Sequence, residues 1–218
     1  MKIKNLENLE ERIDRDFYWR KFELLQLKMA IEKNNVTLSK KTLIRSAIPL
    51  LCAHWEGFIR NVSNYYIVYI CHQRLKNKDL KENFIAFKLK KDLMSSRESH
   101  KISVHTKFYM KIDSIQEEIF RMTFSDVPEK RIINTNSNLN FDLFDEILHS
   151  IGIENLYETK KNFIDIQMLK NRNEIVHGEA FEASDYDFSE IYNQILPVME
   201  SFKNQIIDAA ENKKYLKV

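Results

Sequence analysis

The sequence predicts an all-α fold, an antiparallel helix bundle with additional inserted helices, and three observations carry that reading. Glycine and proline each occur three times in 218 residues, whereas average usage would give about 26 of the two together. Sandwiches and barrels need a special turn about every 8–12 residues, and this chain lacks the residues for them. Long stretches repeat apolar side chains at steps of three and four, the period of a helix with a buried face. Hydrophobic residues are 44% and charged ones 30%, a composition that builds a core and does not stay disordered. No internal repeat or Pro/Gly/Ser-rich linker divides the chain, so residues 1–218 read as one domain.

The first 33 residues place Leu6, Leu9, Ile13, Phe17, Leu24, Leu27 and Ile31 on one stripe, which predicts a long amphipathic helix broken at Asn34–Asn35. Ser39 is a candidate N-cap for a second long helix reaching about Leu75. Its stripe is Leu43, Ala47, Leu51, Trp55, Phe58, Val62, Tyr65 and Tyr69. Pro49 lies within it, which predicts a kink or a displaced start. The tyrosines Tyr65, Tyr66 and Tyr69 read as core. Shorter helices are expected over 81–95 and 106–122. Pro128 to Asn140, containing NTNSNLN, reads as an irregular loop. A helix over 142–150 would end at Gly152, and two more follow over 159–177 and 186–210, the last perturbed by Pro197.

The longest strictly apolar stretches span about a third of a bilayer, and the acids of MKIKNLENLEERIDRD interrupt any signal-peptide core. Cys52 and Cys71 form no CxxC pair and read as buried free thiols of a reducing compartment. The expectation is a cytoplasmic chain without a membrane partner. Net charge is +2, but seven basic residues between Arg74 and Lys91 face only Asp79 and Glu82. Such a stretch is either a phosphate-binding face or a solvated helix surface. His100 and His105 lack further ligands at zinc-site spacing, and no P-loop or HExxH motif occurs. No metal or cofactor is expected.

The informative run is KNFIDIQMLKNRNEIVHG, residues 161–178. At 100° per residue, Phe163, Ile166, Leu169 and Val176 share one side with Asn173 and His177. Ile164, Met168 and Ile175 form a second stripe, and Arg172 falls between the two. A helix apolar on two faces predicts burial on both, within a bundle or against a second subunit. Gly178 directly after His177 predicts a C-cap. In that last turn the helix dipole favours the imidazolium while Arg172 opposes it, the setting of a general acid or base. By spacing alone, an Arg and a His on a helix usually only cap and pair.

Arg172-Asn173-Glu174-Ile175-Val176-His177 resembles the R-x4-H signature of HEPN (higher eukaryotes and prokaryotes nucleotide-binding) domains, in which a polar residue commonly follows the Arg. LLCAHWEGFIRNVSNYY (50–66) resembles the WE-containing second helix of a bacterial stand-alone HEPN branch. TNSNLNFDLFDEILHSIGI (135–153) resembles the SNLN segment that precedes the catalytic helix there. The resemblance implies a four- or five-helix bundle that dimerises to bring two motifs to one cleft. It implies a metal-independent endoribonuclease of toxin–antitoxin or antiphage type, with RNA as substrate and a cognate antitoxin or defence protein as partner. Arg172 would match the catalytic arginine and His177 the catalytic histidine, with Asn173 supporting. The products would be a 2′,3′-cyclic phosphate and a 5′-hydroxyl. The alternative is a non-catalytic HEPN-like module that binds RNA or protein.

Glu56 has two readings, a surface pair with Arg60 at i,i+4 and a supporting role at the cleft. On an ideal helix it points to the polar side, while His54 joins the apolar stripe and reads as a core histidine.

Overall fold

The computed structural model describes residues 3–123, 132–135, 137–180 and 184–217. In chain order the helices are α1 (Leu6–Lys33), α2 (Thr37–His72), α3 (Glu82–Glu98), α4 (Ile102–Ile115), α5 (Phe141–Ser150), a π-helical segment (Phe163–Lys170) continuing directly into α6 (Asn171–Val176), and α7 (Asp185–Glu211). Among the described residues there are isolated bridges but no β-strand, and no helix is long and apolar enough to cross a membrane.

Three long helices, α1, α2 and α7, pack on one another as the frame. The stripe predicted on α1 is its packed face, with Leu9, Ile13, Phe17, Leu24 and Ile31 buried. A chain of ring contacts ties the helices together. Phe17 meets Phe58, Phe58 meets Phe202, Phe202 meets Phe144, and Phe144 meets Trp55 at 5.0 Å. Each such ring removes apolar surface worth about 1.5–3 kcal/mol from water, so one continuous aromatic core holds α1, α2, α5 and α7. Tyr66 and Tyr69 are buried edge-on against Tyr215, as core residues.

Several boundaries differ from expectation. Helix α2 begins at Thr37 and has no side-chain cap. Ser39 is not its N-cap, because its hydroxyl accepts from Asn34 Nδ2 at 2.9 Å instead. Both α2 and α7 run unbroken through Pro49 and Pro197. A missing N–H costs one main-chain bond, and the burial of Ala47, Ile48 and Leu51 around one proline, and of Ile195, Val198 and Met199 around the other, outweighs it. Helix α4 starts before residue 106 and stops at Ile115, not 122. Buried Asn77 donates its Nδ2 to the Ile115 carbonyl at 2.7 Å, and the chain then pairs with the segment after α2 through Asn77 N–H to Glu118 O and Phe120 N–H to Leu75 O. The expected irregular loop is described only at 132–135 and 137–140, which are non-helical. Pro128 and its neighbours lie outside the described residues.

Four of the seven basic residues in 74–91 are engaged in ion pairs or a carbonyl contact within the fold. Lys76 and Lys78 clasp Glu117 at 2.8 and 2.7 Å, Lys88 reaches Glu118 at 3.3 Å, and Lys81 donates to the Gly152 carbonyl. The two lysines hold the Glu117 carboxyl down at about 2.

Candidate active site

The run carrying Arg172 and His177 is not a uniform α-helix. Over Phe163–Lys170 it has π-helical turns, whose hydrogen bonds reach five residues back. The buried side chains follow that longer step. Phe163 and Ile164 are buried, and so, five residues on, are Met168 and Leu169. The two apolar stripes expected at 100° per residue therefore merge into one face against α2 and α7. Ile166 and Val176 are left 51% and 55% exposed. Within a single chain the helix is buried on one face only, which excludes the bundle interior as cover for the second face and leaves a second subunit as the alternative.

Helix α6 ends as its glycine predicts. Gly178 has φ +82°, its N–H donates to Ile175 O at 3.2 Å, and the Glu179 N–H donates to Glu174 O at 2.9 Å. These are the two bonds of a Schellman turn. A Cβ at Gly178 would meet nothing within 4 Å, so the backbone angle alone asks for glycine. The turn leaves His177 at the capping position with its side chain exposed. Its ring makes no hydrogen bond among the described residues, and none joins it to Arg172. His177 is thus exposed, not buried among the apolar residues with which ideal helical spacing groups it, while Asn173 is part-buried.

Arg172 is half-buried and held from two sides. Its Nη1 donates to Asn173 Oδ1 at 2.8 Å and its Nη2 to the Ser137 carbonyl at 3.2 Å. It lines a cavity of about 60 Å³ together with Glu56, Cys52, Leu139 and Met168. Glu56 therefore faces this cleft. Its side chain is 18% exposed, with Arg60 Nη1 4.0 Å away and the Thr135 hydroxyl donating to Oε1 at 2.6 Å. Glu56 thus has Arg60 as a loose neighbour and Thr135 as a close one, on the wall of the cleft that Arg172 also lines. Among the described residues no ion pair joins Glu56 to Arg172. Cys52 donates its thiol to the Met168 carbonyl at 3.6 Å. Burial pushes that thiol up to about 12 against the opposing pull of Arg172, which leaves it un-ionised and inert.

Residues of the SNLN segment complete the site, and spacing arguments did not single them out. Thr135 and Leu139 are buried. Asn140 caps α5 by accepting from Leu143 N–H at 2.9 Å, and Asp165 accepts from Phe141 N–H at 2.8 Å. The Asn-rich run reads as a loop by composition, and only the block resemblance hinted at more.

His54 lies on the other side of α2, facing α1. Arg20 Nη1 donates to its Nδ1 at 3.4 Å. A guanidinium only donates, so the imidazole proton sits on Nε2, 2.9 Å from Glu23 Oε2 but out of line for a full hydrogen bond. Arg20 pairs with buried Asp16, which also accepts from Asn61 and Tyr65. Gly57 admits this guanidinium, since a Cβ there would stand 2.9 Å from Arg20 Nη1. His54 is a core histidine within a polar network, remote from Arg172.

At the end of the site, Arg45 of α2 donates to the Glu179 carbonyl at 2.5 Å. One turn earlier in α2, Lys40, Lys41 and Ile44 line a hollow of about 480 Å³ with Asn34, Asn35, Thr37 and Ser184.

Compared with known proteins, no curated protein and no solved structure matches the chain. A family model does match, described as RiboL-PSP-HEPN, over residues 15–208. That span includes α2, the SNLN segment and the whole Arg172–His177 helix, and with an all-α fold built around them the chain belongs to the RiboL-PSP-HEPN family of HEPN domains.

Proposed function

We propose that the protein is a metal-independent endoribonuclease that cuts RNA with Arg172 and His177. The observation that carries this reading is the Schellman turn at Gly178, which presents an unpartnered, exposed imidazole five residues beyond a guanidinium that is itself anchored at a cleft. In the reaction the ribose 2′-oxygen attacks phosphorus and the bond to the 5′-oxygen breaks. His177 takes or supplies the proton at one of these oxygens, and Arg172 holds the phosphate as its charge develops. Asn173 fixes the guanidinium through its Oδ1, and Glu56 supports the opposite wall. The ends left are a 2′,3′-cyclic phosphate and a 5′-hydroxyl. Ile166 and Val176, exposed on the helix that carries the motif, support a homodimer in which two motifs share one cleft. The resemblance to stand-alone bacterial HEPN nucleases extends the reading to growth arrest or antiphage defence, with a cognate inhibitor or defence protein as partner.

A second reading has its own observation. Arg172 donates two hydrogen bonds within its own chain and, among the described residues, none joins it to His177, as a module that binds RNA without cutting it would allow. Incubating the purified protein with total RNA and mapping the ends separates the two. Cleavage is expected, in EDTA as well as in magnesium, and His177→Ala and Arg172→Ala should each lower it about 10²–10⁴-fold while staying folded. RNA that is bound and left intact would establish the second reading, and a fully active, folded His177→Ala would end the first.

A further inference from the structure

We propose that Thr135 is a positioning residue for Arg172, acting through a latch on Glu56; the inference rests on the ribonuclease reading for its effect on catalysis but not for its geometry. Thr135 is 1% exposed, and its hydroxyl donates to a carboxylate oxygen of Glu56 at 2.6 Å. A short hydrogen bond to an ionised acceptor is among the stronger kinds, and a buried hydroxyl without it would be costly. The latch fixes the start of a tight turn. Asn138 N–H returns to the Thr135 carbonyl at 3.0 Å, and within that turn Ser137 has φ +55°, a left-handed angle that a residue with a Cβ adopts only when its surroundings hold it there. The carbonyl of this same Ser137 accepts from Arg172 Nη2 at 3.2 Å.

The direction of that carbonyl is therefore set by a turn whose first residue is bolted to α2. The far end is fixed as well, by buried Leu139 and by the Asn140 cap on α5. Removing the latch frees the strained Ser137 to relax, its carbonyl turns, and the guanidinium loses one of its two anchors. A phosphate clamp displaced by about an ångström can lose on the order of a hundredfold in rate. Glu56 enters the chemistry by holding the segment that holds Arg172, without touching the substrate.

The test compares Thr135→Val, which keeps shape and removes the hydroxyl, with Thr135→Ser, which keeps the hydroxyl. Modification of Arg172 by phenylglyoxal is followed by mass spectrometry, with exposed Arg15 as internal reference, alongside kcat and KM on RNA. Thr135→Val should raise the rate of Arg172 modification about threefold or more relative to Arg15 and lower kcat roughly ten- to a hundredfold with little change in KM. Thr135→Ser should restore both. A folded Thr135→Val with unchanged Arg172 reactivity overturns the latch whatever its activity. If the valine variant does not fold, Glu56→Gln, which weakens the acceptor, carries the test: Arg172 reactivity above wild type supports the latch, and reactivity equal to wild type overturns it. A wild-type protein that does not cut RNA, with Arg172 still responding to Thr135→Val, would sink the nuclease reading and leave the latch standing.

Discussion

At the scale of single residues, two histidines of one chain have opposite surroundings. His177 stands exposed at a helix end, while His54 is enclosed by Arg20, Glu23, Asp16 and Trp19. Burial, reinforced by the Arg20 charge, lowers the His54 pKa below its ordinary 6.5, against the weaker upward pull of Glu23 and Asp16. The unfolded chain therefore takes up this proton at a higher pH than the folded one. Stability is unaffected by this group well above 6.5 and falls as pH drops below it, toward the depressed folded value. Urea midpoints at pH 8 and pH 5.5 should show a larger acid loss in wild type than in His54→Gln, which cannot titrate. Equal losses would mean the network does not hold His54 neutral. The proposed catalytic pair calls for a different measurement. Because Arg172 and His177 are proposed to act on one transition state, the double alanine variant should be little slower than the worse single one, and additive losses in single-turnover rates would argue for separate roles.

Helices are where ideal geometry and this molecule part company. An α-helix turning 100° per residue would leave apolar side chains of residues 163–176 on two sides, and the π-helical turns bring four of them onto one. The winding thereby decides that Ile166 is outside. At the end of α6 the sequence is directly legible, since a glycine after the last helical residue supplies the left-handed angle that any other residue adopts at a cost. Gly178→Ala should destabilise the protein by about 1–2 kcal/mol, readable as a lowered urea midpoint, with no steric contribution because the space there is open. The same variant should weaken cleavage, since the Schellman turn sets the direction of His177. An unchanged midpoint would show that the turn is not what ends the helix. Another element-scale expectation concerns the start of α2. Lys40→Glu with Lys41→Glu should raise KM for RNA and flatten its salt dependence while leaving kcat within about twofold, as loss of phosphate contacts does; a fall in kcat at constant KM would place these lysines elsewhere in the reaction.

For the whole molecule the open question is assembly. Two exposed apolar surfaces compete for a second copy. One is the exposed side of the motif helix, with Ile166 and Val176. The other is the outer stripe of α1, where Tyr18, Phe22, Leu25 and Met29 are exposed at steps of four, three and four. They lie on different sides of α2, since His54 faces α1 and Cys52 faces Met168. Only the first would join two motifs across one cleft. Light scattering at micromolar concentration should give twice the 26.1 kDa chain mass, reduced to the monomer by Ile166→Glu with Val176→Glu and unchanged by Phe22→Glu. The reverse pattern would move the interface to α1 and leave each motif to work alone.

Sequence by itself determined the fold class, the long helices and their buried stripes, the end of α6 at Gly178, and the family through its R-x4-H, WE and SNLN blocks. These are local or periodic properties, and neighbouring residues suffice to express them. Tertiary structure alone decided that Pro49 and Pro197 stay inside their helices, that Lys76, Lys78 and Lys88 are taken up by Glu117 and Glu118, and that Glu56 faces the Arg172 cavity. It also joined Thr135 to Glu56 across 79 residues of chain. Whether a carboxylate meets solvent, a lysine or a hydroxyl depends on which distant segment packs beside it, and on small departures such as a five-residue turn that rotates every side chain after it. Pattern read at ideal helical spacing carries neither.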